Sequence, residues 1–284
     1  MKGSRIVIGF DASPGAEQAM AWGLAEAARR HGEAELVYAW TWPNYLPAAA
    51  MVPGAPVWPD MAAEREVDTM LAAAVERAHV CFPGVPVTSV VERGPAAAIL
   101  RDRSAGATLM VLGGRSHGAV AGFLLGSIAG AVAAHADCTV VVVRGEASSS
   151  KPILLGLDKP ADRPTEFAFE QAAAREVALN VVRAWLPPPD PWIGSRFIDR
   201  EEIAVAEQVA LRDELARWRE KYPSVRVHSD TVIGHPYRVI ADAAADAGLV
   251  VLGARGRGGF SGLRLGSVTR YALHHVNTTI AVVR

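Results

Sequence analysis

The feature that most constrains this chain is that it is written twice. Thr139-Val-Val-Val-Val-Arg144 returns as Thr279-Ile-Ala-Val-Val-Arg284, 140 residues later. At the same offset Val111-Leu-Gly-Gly-Arg115 recurs as Val251-Leu-Gly-Ala-Arg255, and Leu125-Gly-Ser127 as Leu265-Gly-Ser267. His135 returns as His275 and Gly94 as Gly234. At the front of each half, Ile6-Val-Ile-Gly-Phe-Asp11 matches Ile153-Leu-Leu-Gly-Leu-Asp158 at an offset of 147, so the second copy is seven residues shorter before Gly234. Solenoids repeat every ~20–50 residues, and a period of this length instead means a duplicated domain. The bridge Gly145-Glu-Ala-Ser-Ser-Ser-Lys-Pro152 has linker composition. The expected domains are therefore 1–145 and 151–284, a division that 284 residues easily accommodate.

Each copy reads as strand, helix, strand, long loop, helix, strand, helix, strand, loop, helix, strand. In the first, Arg5–Phe10, Leu36–Trp40, Val85–Val91, Leu109–Leu112 and Thr139–Val143 are short, unbroken apolar runs, as strands covered on both faces require. Ala16, Met20, Leu24 and Ala27 share one face of a helix, as do Val67, Met70, Leu71, Ala74, Val75 and Ala78. Leu211, Leu215 and Trp218 do the same in the second copy. Alternating elements of this spacing predict an α/β fold: two tandem doubly wound, Rossmann-like domains, each a five-stranded, mostly parallel sheet flanked by helices. Such sheets bind ligands beyond the C-terminal ends of their strands.

Charge and composition narrow the function. With 29 basic and 30 acidic residues, the chain lacks the basic excess of a nucleic-acid binder. It has no apolar run long enough for a membrane span and no signal-peptide layout at its start. Cys81 and Cys138 are too few for a disulfide scaffold or a four-cysteine zinc site. A cytoplasmic protein is expected, with no nucleic-acid or membrane partner.

The sharpest site is a glycine-rich loop after the fourth strand. In the second copy it reads Gly253-Ala254-Arg255-Gly256, nine residues, then Gly266-Ser267 leading into a helix through Val268. Glycines let successive N–H groups point into one concavity, and Ser267 stands where an N-cap belongs, with the free N–H groups of the first turn behind it. Arg255 and Arg257 add positive charge. The alternative is a glycine turn that only lets the strand reach the helix. A dinucleotide fingerprint is missing from the turn Asp11-Ala-Ser-Pro-Gly15, and the chain has no Gly-Lys pair for a P-loop.

A loop after the fourth strand, paired with an acid (Asp11 or Asp158) at the end of the first, resembles the universal stress protein family in its tandem form common in actinobacteria. The likeness covers nearly the whole chain. The family's ATP-binding members carry Gly-x-x-Gly, nine residues, Gly-Ser/Thr, which Gly253, Gly256, Gly266 and Ser267 match. The resemblance implies that this motif holds ribose and phosphates while Asp11 and Asp158 contact adenine. Gly9 and Gly156, two residues earlier, are expected to leave room for the flat base. The strand ends Tyr38-Ala-Trp40 and Arg183-Ala-Trp185 also resemble the family pattern. The implied ligand is ATP, with Mg2+ as an optional companion. The copies depart in different places: the first reads Gly113-Gly114-Arg115-Ser116, nine residues, Gly126-Ser127, with Ser116 replacing the second glycine. The second has the full loop but a proline-stiffened turn, Asp158-Lys-Pro-Ala-Asp-Arg-Pro164.

His274 and His275 are adjacent and so point apart, which argues against one metal ion. His135 and His275 read as helix-end residues that complement the macrodipole, and His117 lies inside the first glycine loop. Trp22 and Trp218 read as core, while the tryptophans of the Pro-rich stretches 41–59 and 185–194 suit lids or partner surfaces. Family dimers pair their last strands edge to edge. The two copies are accordingly expected to pair within the chain by a pseudo-two-fold, with a homodimer as a further option. No base and charge clamp for fast phosphoryl transfer is present. The reading is an ATP-binding stress-response regulator with at most slow hydrolysis. The alternatives are an interaction module of the same fold without nucleotide sites, or an enzyme using another adenine cofactor such as FAD.

Overall fold

The apolar run that begins the chain folds as β1 (Arg5–Gly9), with Ile6, Val7 and Ile8 wholly shielded from solvent. The structure, a computed structural model, describes residues 3–40, 61–114, 125–145, 150–187, 192–193, 196–197, 200–256 and 264–284. The chain divides into two compact units that meet in sequence between Val143 and Arg144.

In the first unit β1 is followed by α1 (Pro14–Arg29), β2 (Glu33–Trp40), α2 (Met61–Cys81), β3 (Val87–Arg93), α3 (Ala96–Ser104), β4 (Leu109–Gly113), α4 (Ser127–His135) and β5 (Thr139–Val143). All pairings are parallel, in the order β3-β2-β1-β4-β5. β2 starts three residues before the apolar pattern because Glu33 N–H bonds Ser4 C=O at 2.9 Å and draws the polar start into the ladder. β3 starts two residues late: Val85 N–H is already used in a turn to Phe82 C=O, and Pro86 has no N–H. The predicted face of α1 is buried, and that of α2 is buried at Leu71, Ala74 and Ala78 but half-buried at Val67, Met70 and Val75. Ala16, Met20, Leu24 and Ala27 of α1 and Leu71, Ala74 and Ala78 of α2 are all 6% exposed or less.

α1 is begun by its own sequence. Asp11 Oδ1 accepts from Ser13 N–H at 3.0 Å, Ser13 Oγ accepts from Ala16 N–H at 3.2 Å, and Pro14 supplies a pre-set φ. Ser13 is 2% exposed, so water cannot replace its oxygen. Ser13→Ala is expected to cost about 1 kcal/mol of unfolding free energy, read by urea denaturation. An unchanged midpoint would mean that the cap adds nothing.

The second unit repeats the plan with β6 (Ile153–Gly156), α5 (Asp162–Arg175) and β7 (Leu179–Trp185). The short antiparallel pair β8 (Trp192–Ile193) and β9 (Arg196–Phe197) then stands in the long connection. There follow α6 (Arg200–Lys221), β10 (Val227–Ile233), α7 (Pro236–Ala243), a single 3-10 turn, β11 (Leu249–Gly253), α8 (Ser267–His275) and β12 (Ile280–Val283). The order β10-β7-β6-β11-β12 is again parallel throughout. Leu211, Leu215 and Trp218 of α6 are buried as the periodicity predicts, and Trp218 stacks on the fully buried Phe169 at 6.2 Å. Trp22 is likewise core. The repeated glycines Gly94 and Gly234 end the third strand of each unit at φ 141° and 159°, which side chains disfavour. Residues 41–59 lie outside the described residues. No helix among the described residues is long and apolar enough to cross a membrane.

Candidate functional site

In each unit the strand order reverses direction between the first strand and the fourth, which opens a crevice at their C-terminal ends. A cavity of about 310 Å3 occupies that place in the second unit. β6 and its exit contribute Gly156, Asp158 and Lys159, β7 contributes Val182 and Ala184, and α7 contributes Pro236 and Ile240. Leu252, Gly253, Arg255 and Gly256 form the β11 side, and Gly266, Ser267, Val268 and Thr269 close it. The cavity has an apolar end, formed by Val182, Ala184, Ile240 and Leu252, and a polar end at the glycine loop.

Two parts of the predicted site, far apart in sequence, meet here. A Cβ placed on Gly256 would lie 3.1 Å from Asp158 Oδ2, and one on Gly266 would lie 3.4 Å from Gly256 N. The loop is closed at its base by Gly266 N–H donating to Ala254 C=O at 2.8 Å, and Gly126 N–H donates to Gly114 C=O at the same distance in the first unit. This closure aims the start of α8 into the cavity. Arg270 N–H bonds Gly266 C=O at 3.0 Å, so the N–H groups of Ser267, Val268 and Thr269 have no intrahelical acceptor. No side chain caps the helix. Such a terminus carries about half a positive charge. Thr269, 3% exposed, ties α8 to β11 by donating its hydroxyl to Gly253 C=O at 2.8 Å.

The first unit holds a smaller cavity of about 190 Å3 at the matching place. Gly9, Asp11, Gly113 and Gly126 line it, with Phe10, Ser13, Val37, Ala39, Leu100, Leu112 and Ile128. Arg115, Ser116 and His117 of its loop, and Arg257 of the second loop, lie outside the described residues.

The structure refines several expectations from the sequence. Ser127 and Ser267 are not N-caps: Gly126 and Gly266 hold that position at φ −70° and −65°, and the serines are the first helical residues. Gly114 and Ala254 are buried and do not line the cavities. Their N–H groups continue the sheet by donating to Val143 and Val283 C=O at 2.9 and 2.8 Å, and their carbonyls are used in loop closure. Asp11 and Asp158 stand two residues beyond β1 and β6. Gly9 and Gly156 line their cavities, and a side chain at either would press on the apolar floor. A Cβ on Gly9 would meet Leu112 Cδ2 at 2.5 Å, and one on Gly156 would meet Leu252 Cδ2 at 2.6 Å and Ile240 Cδ1 at 2.7 Å. Ser127 does not line its cavity, whereas Ser267 does.

Sequence reasoning missed the apolar wall. Val37 and Ala39, like Val182 and Ala184, sit two apart on the second strand and so share a face. That alternation, read together with the repeat, could have found them. Leu100 and Ile240 occupy matched positions on α3 and α7, and only the fold brings them under the first strand.

The histidines behave as helix-end residues. The Nδ1 atoms of His135 and His275 each lie 2.9 Å from the carbonyl oxygen four residues earlier, Ala131 and Tyr271. The rings of His274 and His275 are 6.3 Å apart and edge-on. Partial desolvation, followed by the charge of His275, holds His274 below its ordinary value.

Comparison with known proteins agrees with this architecture. The model of the universal stress protein family matches residues 3–144 and again residues 150–284. A universal stress protein of Mycobacterium tuberculosis is 33% identical, over 98% of this chain and 96% of its own length. A crystal structure of a universal stress protein from Archaeoglobus fulgidus matches with a TM-score of 0.72 at 14% identity, covering 100% of this chain and 99% of that one. A further structure from A. fulgidus, a universal stress protein in complex with dAMP, is 24% identical and covers 48% of this chain and all of that one, with a TM-score of 0.36. Two complete copies of the domain, matched end to end by relatives of the same length, make the chain a tandem member of the universal stress protein family.

Proposed function

We propose that the chain binds an adenine nucleotide, ATP, in the cavity of the second unit and in its counterpart in the first, and acts as a ligand-sensing regulator in the stress response. The observation that carries this reading is the single cavity that joins an apolar slot to an uncapped helix N-terminus. The slot of Val182, Ala184, Ile240 and Leu252 suits a flat base. The three unengaged N–H groups of α8 suit phosphate oxygens, because N–H donors and helix dipole act on the same anion. Among the described residues Asp158 is the only carboxylate lining the cavity, so a Mg2+ ion carried by the nucleotide would find one protein ligand there and keep its phosphates and waters as the others. That arrangement favours holding a nucleotide over hydrolysing it, since the described lining offers no second carboxylate to activate a water.

Gly266 offers the direct test. Its φ of −65° is open to any residue, and a Cβ there would sit at ordinary contact distance, 3.4 Å from Gly256 N. Gly266→Glu is therefore expected to fold as the parent does while placing a carboxylate in the phosphate end. Calorimetric titration of the full chain with ATP is expected to lose the second site's binding, with the circular dichroism spectrum unchanged. Unaltered ATP binding in the variant would make the loop a purely structural turn. A parent protein that neither copurifies with a nucleotide nor binds one would instead mark the fold as an interaction module.

A further inference from the structure

Among the described residues the two cavities differ in charge, and the turn after the first strand contributes to the difference. In the first unit the turn after β1 is tight: Ala12 takes a left-handed φ of 58° between Asp11 and the capping Ser13. In the second unit the corresponding position is Lys159, and the turn runs one residue longer before its helix begins at Asp162. Lys159 is exposed and lines the cavity beside Asp158, whose carboxylate lies against Gly256. It directly follows Asp158, which meets the glycine loop at the polar end. Arg255 lines the same end. Among the described residues neither cation makes a side-chain hydrogen bond or an ion pair, although eleven other arginines and lysines pair with carboxylates. Two such cations beside an uncapped helix start outweigh Asp158, the one carboxylate in the described lining. The described lining of the first cavity carries one charged side chain, Asp11.

We propose that the second unit selects its ligand by phosphate count, with Lys159, assisted by Arg255, reading the outer phosphates of a nucleoside di- or triphosphate. The inference rests on nucleotide binding in that cavity and adds the residue that sets which nucleotide is held. A compact ammonium on a flexible stem suits a terminal phosphate that is partly in solvent, and the charge of the ligand rises with each phosphate added. Nucleoside and monophosphate leave both cations without a partner, so they gain only the slot and the helix start.

The test is calorimetric titration of the full chain with adenosine, AMP, ADP and ATP. The Gly266→Glu chain supplies the background of the first site. Affinity of the second site is expected to rise from AMP to ATP by about tenfold, the equivalent of one modest charge-assisted hydrogen bond. Lys159→Met is expected to lower the ATP-to-adenosine affinity ratio by about the same factor, and Lys159→Arg to retain it. Equal affinity for AMP and ATP, or a ratio untouched by Lys159→Met, overturns the phosphate selection while nucleotide binding stands. Failure of all four ligands to bind removes both.

Discussion

Replacing Gly113 by alanine is expected to lower the stability of the first unit by about 3 kcal/mol, the upper end of ordinary overpacking. In a unit of this size that is a fall of about 10 °C in melting temperature. The Cβ would lie 2.5 and 2.6 Å from the carbonyl carbon and oxygen of Gly15 and 3.0 Å from Ala16 N. These are backbone atoms in the first turn of α1, so no side-chain rotation relieves the contact. The helix must move off the end of β4, and the Asp11–Ser13 turn that begins it must move as well. The matched substitution, Gly253→Ala, meets Arg255 O at 3.3 Å and Pro164 Cγ at 3.5 Å, which a small shift accommodates. Its expected cost is about 1 kcal/mol or less. Thermal unfolding of the two variants side by side checks this, and equal shifts would show that α1 has slack that the structure does not display.

Glu214→Ala is expected to cost the second unit about 3 kcal/mol, because it strands a buried guanidinium. Arg183 projects from β7 to the side opposite the cavity, its neighbours Val182 and Ala184 facing inward. It bonds Glu214 of α6, with side-chain exposures of 4% and 10%, and its next carboxylate, Glu207, is 3.9 Å away. Arg183 Nε and Glu214 Oε1 are buried without partners, so the pair already carries a desolvation penalty. Arg183→Met with Glu214→Leu is therefore expected to recover most of the loss by replacing the pair with apolar contacts. Guanidinium denaturation of the three variants decides it. A single variant within about 0.5 kcal/mol of the parent, the ordinary range for surface substitutions, would mean that Arg183 reaches water or Glu207 instead.

Arg183 also shows where sequence reading stopped. At the sequence level Arg183-Ala-Trp185 looked like part of the site's strand-end pattern, yet strand alternation turns the arginine to the α6 side and leaves Ala184 in the wall. At Gly9 and Gly156 the sequence does not show that Leu112 and Leu252 lie where a side chain would go. The glycine loop was legible, its ends standing at the cavity as the motif implied, but Gly114 and Ala254 proved to be the loop's closing hydrogen-bond partners. The serine after the last glycine was placed one position too early, because the helix accepts Gly266 as its cap.

From the sequence alone came the duplication, the α/β alternation, the buried helix faces and the loop after the fourth strand. These are local consequences of side-chain periodicity and backbone freedom, and a single chain carries them in linear order. Tertiary structure decided which matched residues remained equivalent. Gly113 and Gly253 occupy the same repeat position, but one presses on the backbone of α1 and the other meets only the edge of Pro164. Ala12 and Lys159 follow the same aspartate, yet only Lys159 lines its cavity. The physical reason is that clearance and charge at a site are set by atoms from elements distant in sequence, and no repeat or period records their approach.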